Sequence, residues 1–266
     1  MPESRYVLAT GDEAAYRLRI VNEVHGADTE AFLRRAGIRP GLRVADIGCG
    51  VGVVSAWIGE QIGAEGELVG VDISEAQVDQ ARRLADTRGI RAQFYTASAD
   101  STTLPADHFD LVFCRFVLMH MERPEDGIRE MRRILKPGGV IAVEDGDFAA
   151  PYCYPPLAAF DRAFELYRAI GEARGQRFQI GRELYRLVLE AGFREPEVTL
   201  AQPVFVRGDA KRLPEWTLAE CAPALIGAEL STQEEIDRLT AELQSYAEDE
   251  STLIAMARMT QVWARK

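Results

Sequence analysis

Three glycines at alternate positions, Gly48, Gly50 and Gly52, follow the apolar run "VADIG", and a helix-like stretch begins directly after them. A backbone that turns this tightly leaves room for a ligand at a helix start. The dinucleotide fingerprint G-x-G-x-x-G would place its third glycine where this chain has Val53. Asp46, two residues ahead of Gly48, would repel a pyrophosphate and suits a ligand carrying an ammonium group. Asp72 ends the next strand-like run, 20 residues after Gly52, where a carboxylate accepts hydrogen bonds from ribose hydroxyls. A nucleoside with a cationic tail fits this set better than a dinucleotide.

Such groups need a scaffold that brings strand ends together. From about residue 28 to 146, strand-like and helix-like segments alternate. "LRVADIG", "ELVGVDIS", "RAQFYTA", "FDLVFCR" and "GVIAVED" read as short buried strands, with helices expected over 53–62, 75–88 and 124–135. Ser74 and Gln77 give the second of these helices a capping-box start. This order predicts a parallel sheet with helices on both faces and ligands at the carboxyl ends of its strands. Ahead of it, Thr10 and Glu13 open an amphipathic helix expected to end at Gly26, with a second short helix ending at Gly37. Beyond it, "DFAAPYCYPP" reads as a loop leaving the sheet, followed by helices over 157–174, 181–191, 211–228 and 231–248. Ser231 and Glu234 are the expected capping pair of the last helix, whose stripe of Ile236, Leu239, Leu243 and Tyr246 reads as packing against the domain. "EPEVTLAQPVFVRG" returns to strand character, and "IAMARMTQVWARK" reads as a last strand with room for a turn of helix before it.

Composition narrows the partners. With 42 acidic against 31 basic side chains the net charge is −11, which argues against nucleic-acid binding and for a small molecule. The four cysteines are widely spaced and form no CxxC pair, so free thiols in a reducing cytoplasm are expected rather than disulfides or a zinc site. No apolar run is long enough to span a bilayer, and the N-terminus lacks a signal-peptide profile, so no membrane role is expected.

The segments "VADIGCGVG", "VGVDIS", "ASADSTTLPADHFDLVFCR" and "ILKPGGVIAVED" resemble, in order and spacing, the motifs of the class I S-adenosylmethionine-dependent methyltransferases. They most resemble the ubiquinone/menaquinone-biosynthesis-like branch that acts on small molecules. The resemblance implies an α/β fold: a Rossmann-like, doubly wound, mostly parallel seven-stranded sheet with its last strand antiparallel, plus helical lid and cap additions. It also implies roles by position. Gly48, Gly50 and Gly52 would approach the methionine part of the cofactor, and Asp46 would hold its amino group. Asp72 would take the ribose diol and Ile73 would lie on the adenine. Asp100 would meet the adenine amino group, and Ser101 would offer its backbone N–H to the ring. Ala99 stands where relatives carry glycine. Arg115 would lie near the methionine moiety, and Tyr6 and Tyr16, on an N-terminal lid, are contact candidates with core packing as the alternative.

The implied organisation is a lid over residues 1–39, a cofactor-binding core over 40–150, a cap from 151–180 and 208–250, and completion of the core by 181–207 and 251–266. The implied function is methyl transfer from S-adenosylmethionine to a small hydrophobic or aromatic metabolite, with O, N and C acceptors open. A non-methylating rearrangement or cyclisation on the same fold, or a non-catalytic binding protein, are the alternatives. A hydroxyl or acidic carbon acceptor needs a general base. His120 is the candidate, with pocket lining as its other role. Asp147 is expected at the cleft, to orient the acceptor or to serve as a strand-end turn residue, and Glu144 and Asp145 share that choice. His25 either reaches the cleft or caps a helix, and His108 is expected in solvent. Tyr152, Tyr154, Phe160 and Phe164, with the 211–228 helix, would line the acceptor pocket. No metal is expected, and a homodimer is the oligomeric expectation.

Overall fold

Val44, Leu68, Leu111, Phe113 and Ala142 pack on one side of a sheet, and Ala45, Val69, Val112, Ile141 and Val143 pack on the other. Strands buried on both faces are what a parallel sheet between two helical layers requires. The structure is a computed structural model describing residues 12–266, with side chains from Arg19 onward. In chain order the elements begin α1 (Asp12–Arg35), β1 (Arg43–Ile47), α2 (Val53–Ile62), β2 (Glu67–Asp72), α3 (Glu75–Arg88), β3 (Gln93–Thr96), β4 (Phe109–Arg115), α4 (Pro124–Ile134) and β5 (Leu135–Asp147). They continue as β6 (Tyr152–Tyr154), α5 (Ala158–Ala173), α6 (Leu184–Glu190), β7 (Arg194–Ala201), β8 (Val204–Phe205), α7 (Leu213–Gly227), α8 (Gln233–Glu248), β9 (Leu253–Ala255) and β10 (Arg258–Arg265).

Seven strands form the main sheet in the order β3-β2-β1-β4-β5-β10-β7, with β10 antiparallel to both its neighbours. The chain winds outward from β1 in one direction and from β4 in the other, so a crevice opens between their carboxyl ends. A second sheet, β6-β9-β8, was not foreseen; it recruits Tyr152–Tyr154 from the expected loop and Leu253–Ala255 from the start of the segment read as a last strand with room for a turn of helix. Helices α5, α7 and α8 pack on one another, and Phe160, Leu218, Leu225, Ile236, Leu239 and Leu243 join the same core cluster as one face of the sheet. The α8 stripe is therefore internal packing.

Local signals held where they were self-contained. Helices α2 and α3 have the expected bounds, and Ser74 Oγ accepts the Gln77 N–H at 3.4 Å. Two expectations fail. Helix α1 runs unbroken through Gly26, because a buried face including Ile20, Val24, Phe32 and Leu33 outweighs the roughly 1 kcal/mol that glycine costs a helix. The α8 cap is Thr232, whose Oγ1 accepts from Glu235 N at 3.2 Å, while Ser231 Oγ donates to the Glu235 carboxylate at 2.7 Å.

Candidate functional site

The glycine loop is fixed by backbone hydrogen bonds to the neighbouring strand. Gly48 N and Cys49 N donate to Val71 O at 2.7 and 3.0 Å, and Gly50 N donates to Asp72 Oδ2 at 2.9 Å. Gly52 (φ +81°) starts α2, and a Cβ there would meet Ala81 Cβ at 2.8 Å, so the bare backbone lets α2 sit against α3. Gly50 (φ +53°) differs: the nearest atom to an added Cβ is Gln77 Oε1 at 3.7 Å. That Cβ would stand in the crevice, so the space is reserved for a ligand.

Asp72 accepts from Gly50 N with Oδ2 and from Ser74 N with Oδ1, both at 2.9 Å. These bonds orient the carboxylate and leave each oxygen a further lone pair, which suits a vicinal diol. Burial raises its pKa, against the pull of the Ser74, Gly50 and Ile73 N–H groups. Ile73 next to it is 74% exposed, a bare apolar face suited to an aromatic base. Asp46 is 2% exposed and accepts from Ser55 Oγ at 2.5 Å. Burial pushes its pKa up to about 6, with Asp72 adding to the rise and the Ser55 hydrogen bond and Arg115 opposing it. A cation arriving beside Asp46 would restore its ionised form.

Arg115 ends β4 and reaches α1: Nη1 donates to Thr29 Oγ1 at 2.9 Å and Nη2 to Asn22 Oδ1 at 3.1 Å. Thr29 Oγ1 donates onward to Glu144 Oε1 at 2.5 Å, and Gln261 Nε2 donates to Glu144 Oε2 at 2.8 Å. Helix α1 is thus latched across the strand ends by buried polar groups on β4, β5 and β10. The roles of Asn22, Thr29 and Gln261 were not legible in the sequence, since each depends on a partner far along the chain.

Asp46, Gly48, Gly50, Asp72, Ile73 and Arg115 border one cavity of about 960 Å³. The glycine-loop side of the wall, here termed the inner half, holds Asp46, Gly48, Gly50, Asp72, Ile73 and Ala97–Ser98–Ala99. The rest, here termed the outer half, is formed by Val21 and His25 of α1, Phe116, Phe148, Phe164 and Tyr167, and by Leu213, Thr217, Leu218 and Leu225 of α7. Met256 and Ala257, between β9 and β10, complete the wall. His120 also lines the cavity, edge-on to Phe178 with ring centres 5.6 Å apart. It belongs to the turn Leu118–His120, which Asp145 anchors by accepting Met119 N at 3.1 Å. Burial raises the Asp145 pKa to about 7, against hydrogen bonds from the Gly146 and Met119 N–H groups.

Several expected site residues lie elsewhere. Asp147 is 1% exposed but does not line the cavity; Arg182 Nε and Arg258 Nη2 each donate to its Oδ2 at 2.8 Å. Burial raises its pKa, yet the hydrogen bonds from Arg182, Ala149 and Arg258 outweigh this and hold it low. It is a structural junction, not an acceptor-binding group. Glu144 and Asp145 are likewise consumed by the latch and the turn. Ser101 N donates to Ser98 O at 3.1 Å, closing a tight turn, so it has no N–H to offer a base. Asp100 is exposed just beyond the Ala99 wall, beside Arg123 and Arg129. Tyr152 and Tyr154 are 52% and 64% exposed on the outer face of β6, and Phe160 is buried in the core, so of the four aromatics expected at the pocket only Phe164 lines it. His108 pairs with Glu67 at 3.1 Å, half-buried. His25, by contrast, does reach the cavity, from inside α1 rather than from its end. Tyr6, and the Tyr16 side chain, lie outside the described residues.

The residues present would fit S-adenosylmethionine: a buried acid for its ammonium, a carboxylate with open lone pairs for its diol and an apolar face for its base. Residues 45–143 match a family model described as a methyltransferase domain. The chain is 31% identical over 159 residues to the ubiquinone/menaquinone biosynthesis C-methyltransferase UbiE of Yersinia enterocolitica, a stretch covering 59% of this chain and 61% of that protein. Among solved structures, the YcgJ protein of Bacillus subtilis superposes with a TM-score of 0.62 at 18% identity, covering 91% of this chain and 99% of its own. Phosphoethanolamine N-methyltransferase 2 of Haemonchus contortus, solved with S-adenosyl-L-methionine, gives 0.57 at 19% identity over 90% of this chain and 52% of its own. These structural likenesses concern the fold. The family match is confined to residues 45–143, and the chain spans about three-fifths of the length of the curated relative it matches.

Proposed function

We propose that the chain transfers a methyl group from S-adenosylmethionine to a small, uncharged, largely apolar acceptor. The observation that carries this reading is one continuous cavity, about 960 Å³, with acidic residues at the glycine loop and apolar, aromatic residues elsewhere on its wall. Ligand pockets run from roughly 300 to 1,000 Å³, so the upper end leaves room for a second molecule beside the cofactor. When bound, S-adenosylmethionine supplies a methyl group already activated on a sulfonium. The protein's work is then positioning and exclusion of water. Asp46 would hold the ammonium, Asp72 the ribose diol and Ile73 the adenine face. Asp100, at the rim, would reach the adenine amino group, and Arg115 would fix the loop-side wall.

Among the described residues of the outer half, no carboxylate lines the wall, which favours a neutral acceptor. The C-methyltransferase names of the curated relatives support a carbon atom as the methyl's destination. His120 is the candidate base. The lid over 1–39, the core over 40–150 and the cap from 151–180 and 208–250 are the proposed division of labour. The buried free thiols Cys49, Cys114, Cys153 and Cys221 support a cytoplasmic setting, and no described helix is long and apolar enough to cross a membrane. A metabolite extract incubated with protein and methyl-labelled donor tests the proposal: label should enter a small organic-soluble product. Calorimetric binding of the donor without any transfer would favour the non-methylating reading, and no binding at millimolar donor would overturn the cofactor assignment.

A further inference from the structure

The outer half of the cavity is so apolar that each polar group on its wall bears on acceptor choice. His120, Tyr167, Gln176 and Cys221 already have partners within the protein. The Arg115 guanidinium is held by Thr29 and Asn22. His25 is different. It lines the cavity and is 4% exposed, and its Nδ1 is buried with no hydrogen-bond partner. Its ring meets Phe116 edge-on, with centres 5.3 Å apart. One turn before it on α1, Val21 lines the same cavity, and one turn after it Thr29 fastens the helix to Arg115 and Glu144. The imidazole is therefore rigidly mounted. Burial first, and Arg115 second, lower its pKa to about 3, so it is neutral at physiological pH and keeps one accepting nitrogen.

We infer that His25 is a specificity-determining residue that accepts a hydrogen bond from a neutral hydroxyl on the methyl acceptor. The inference rests on assigning the outer half of the cavity to the acceptor. A buried imidazole nitrogen without a partner in the protein is destabilising, and a hydroxyl brought to it by a bound acceptor relieves it. An acceptor of the same shape without the hydroxyl leaves it unrelieved, and that difference is the source of selectivity.

The test uses 2-naphthol and naphthalene as probes, titrated into the full chain with and without S-adenosylhomocysteine and followed by tryptophan fluorescence. Wild type should prefer 2-naphthol by about tenfold, the scale of one well-made hydrogen bond. His25→Phe should remove the preference while leaving naphthalene affinity within twofold, and His25→Gln should restore part of it. Equal preference in wild type and His25→Phe would overturn the inference, as would equal weakening of both probes, which would mark His25 as packing only. Cofactor binding is read separately in the S-adenosylhomocysteine titration, so failure of the methyl-donor assignment is distinguishable from failure of this one.

Discussion

Asp46 gives the methyl-donor site a pH signature that can be calculated. Burial holds its pKa near 6 in the ligand-free protein, whereas pairing with the ligand's ammonium favours the ionised form. Folding alone therefore favours protonated Asp46, and the ligand favours deprotonated Asp46, so affinity must rise with pH. About nine-tenths of the protein is ready to bind at pH 7 and about one-tenth at pH 5, which predicts a roughly tenfold weaker Kd at pH 5. Over the same interval binding should release about nine-tenths of a proton at pH 5 and about one-tenth at pH 7. Calorimetry with S-adenosylhomocysteine in buffers of different ionisation enthalpy measures both quantities. His25 titrates below this window, and Asp145, although near 7, has its carboxylate turned to the Met119 and Gly146 N–H groups. Asp46→Asn should bind weakly and with no such slope. A tenfold slope surviving in Asp46→Asn, or a flat wild-type profile, would refute the pairing of Asp46 with the ammonium.

Three further perturbations separate binding from stability. Gly52→Ala drives a Cβ into Ala81 at a positive φ and should cost about 2–4 kcal/mol in urea unfolding; Gly50→Ala should cost only about 1 kcal/mol while weakening S-adenosylhomocysteine by more than tenfold. Arg115→Met leaves Glu144 buried without its cation and should destabilise by about 3–5 kcal/mol, and adding Glu144→Gln should recover part of that loss. Asp147→Asn should leave cofactor affinity unchanged and cost about 1–2 kcal/mol at neutral pH. Because the folded-state pKa of Asp147 is lowered, its contribution is present above the unfolded carboxylate pKa and lost as pH falls through the lowered value, so the variant and wild type should converge in acid.

What the sequence made legible was the part governed by neighbours in the chain. The Ser74 cap closes within a few residues, and the Gly48–Gly52 turn and the Asp72 strand end, though bonded to each other across 22 residues, belong to one strand–turn–helix–strand unit whose spacing is regular. The inner half of the site followed from these. The outer half did not, because its wall is assembled from α1, α5, α7 and the 256–257 segment, and no periodicity says which apolar face looks inward. Asp147 misled for a related reason: a carboxylate at a strand end is common at a cleft, but Arg182 and Arg258, 35 and 111 residues away, claim this one. Ser101 misled at short range, since its N–H closes the turn onto Ser98. Gly26 shows a local helix breaker overruled by the buried face on either side of it.

The placement of β10 has a consequence for how the molecule comes into being. β10 lies between β5 and β7, and β9 lies between β6 and β8, although both are made after all four of those neighbours. While a ribosome is still producing α8, β5 has an open edge through the middle of an apolar sheet, and β7 and β8 have nothing to pair with. Such an edge is a site for mispairing, and a nascent chain at this stage is a natural client for chaperones. The same stretch delivers Met256 and Ala257 to the cavity wall and Gln261 to the latch on α1. Closure of the sheet, completion of the cavity wall at Met256 and Ala257, and the Gln261 contribution to the α1 latch thus fall to one late event, so a partly made chain has the glycine loop but an unfinished cavity.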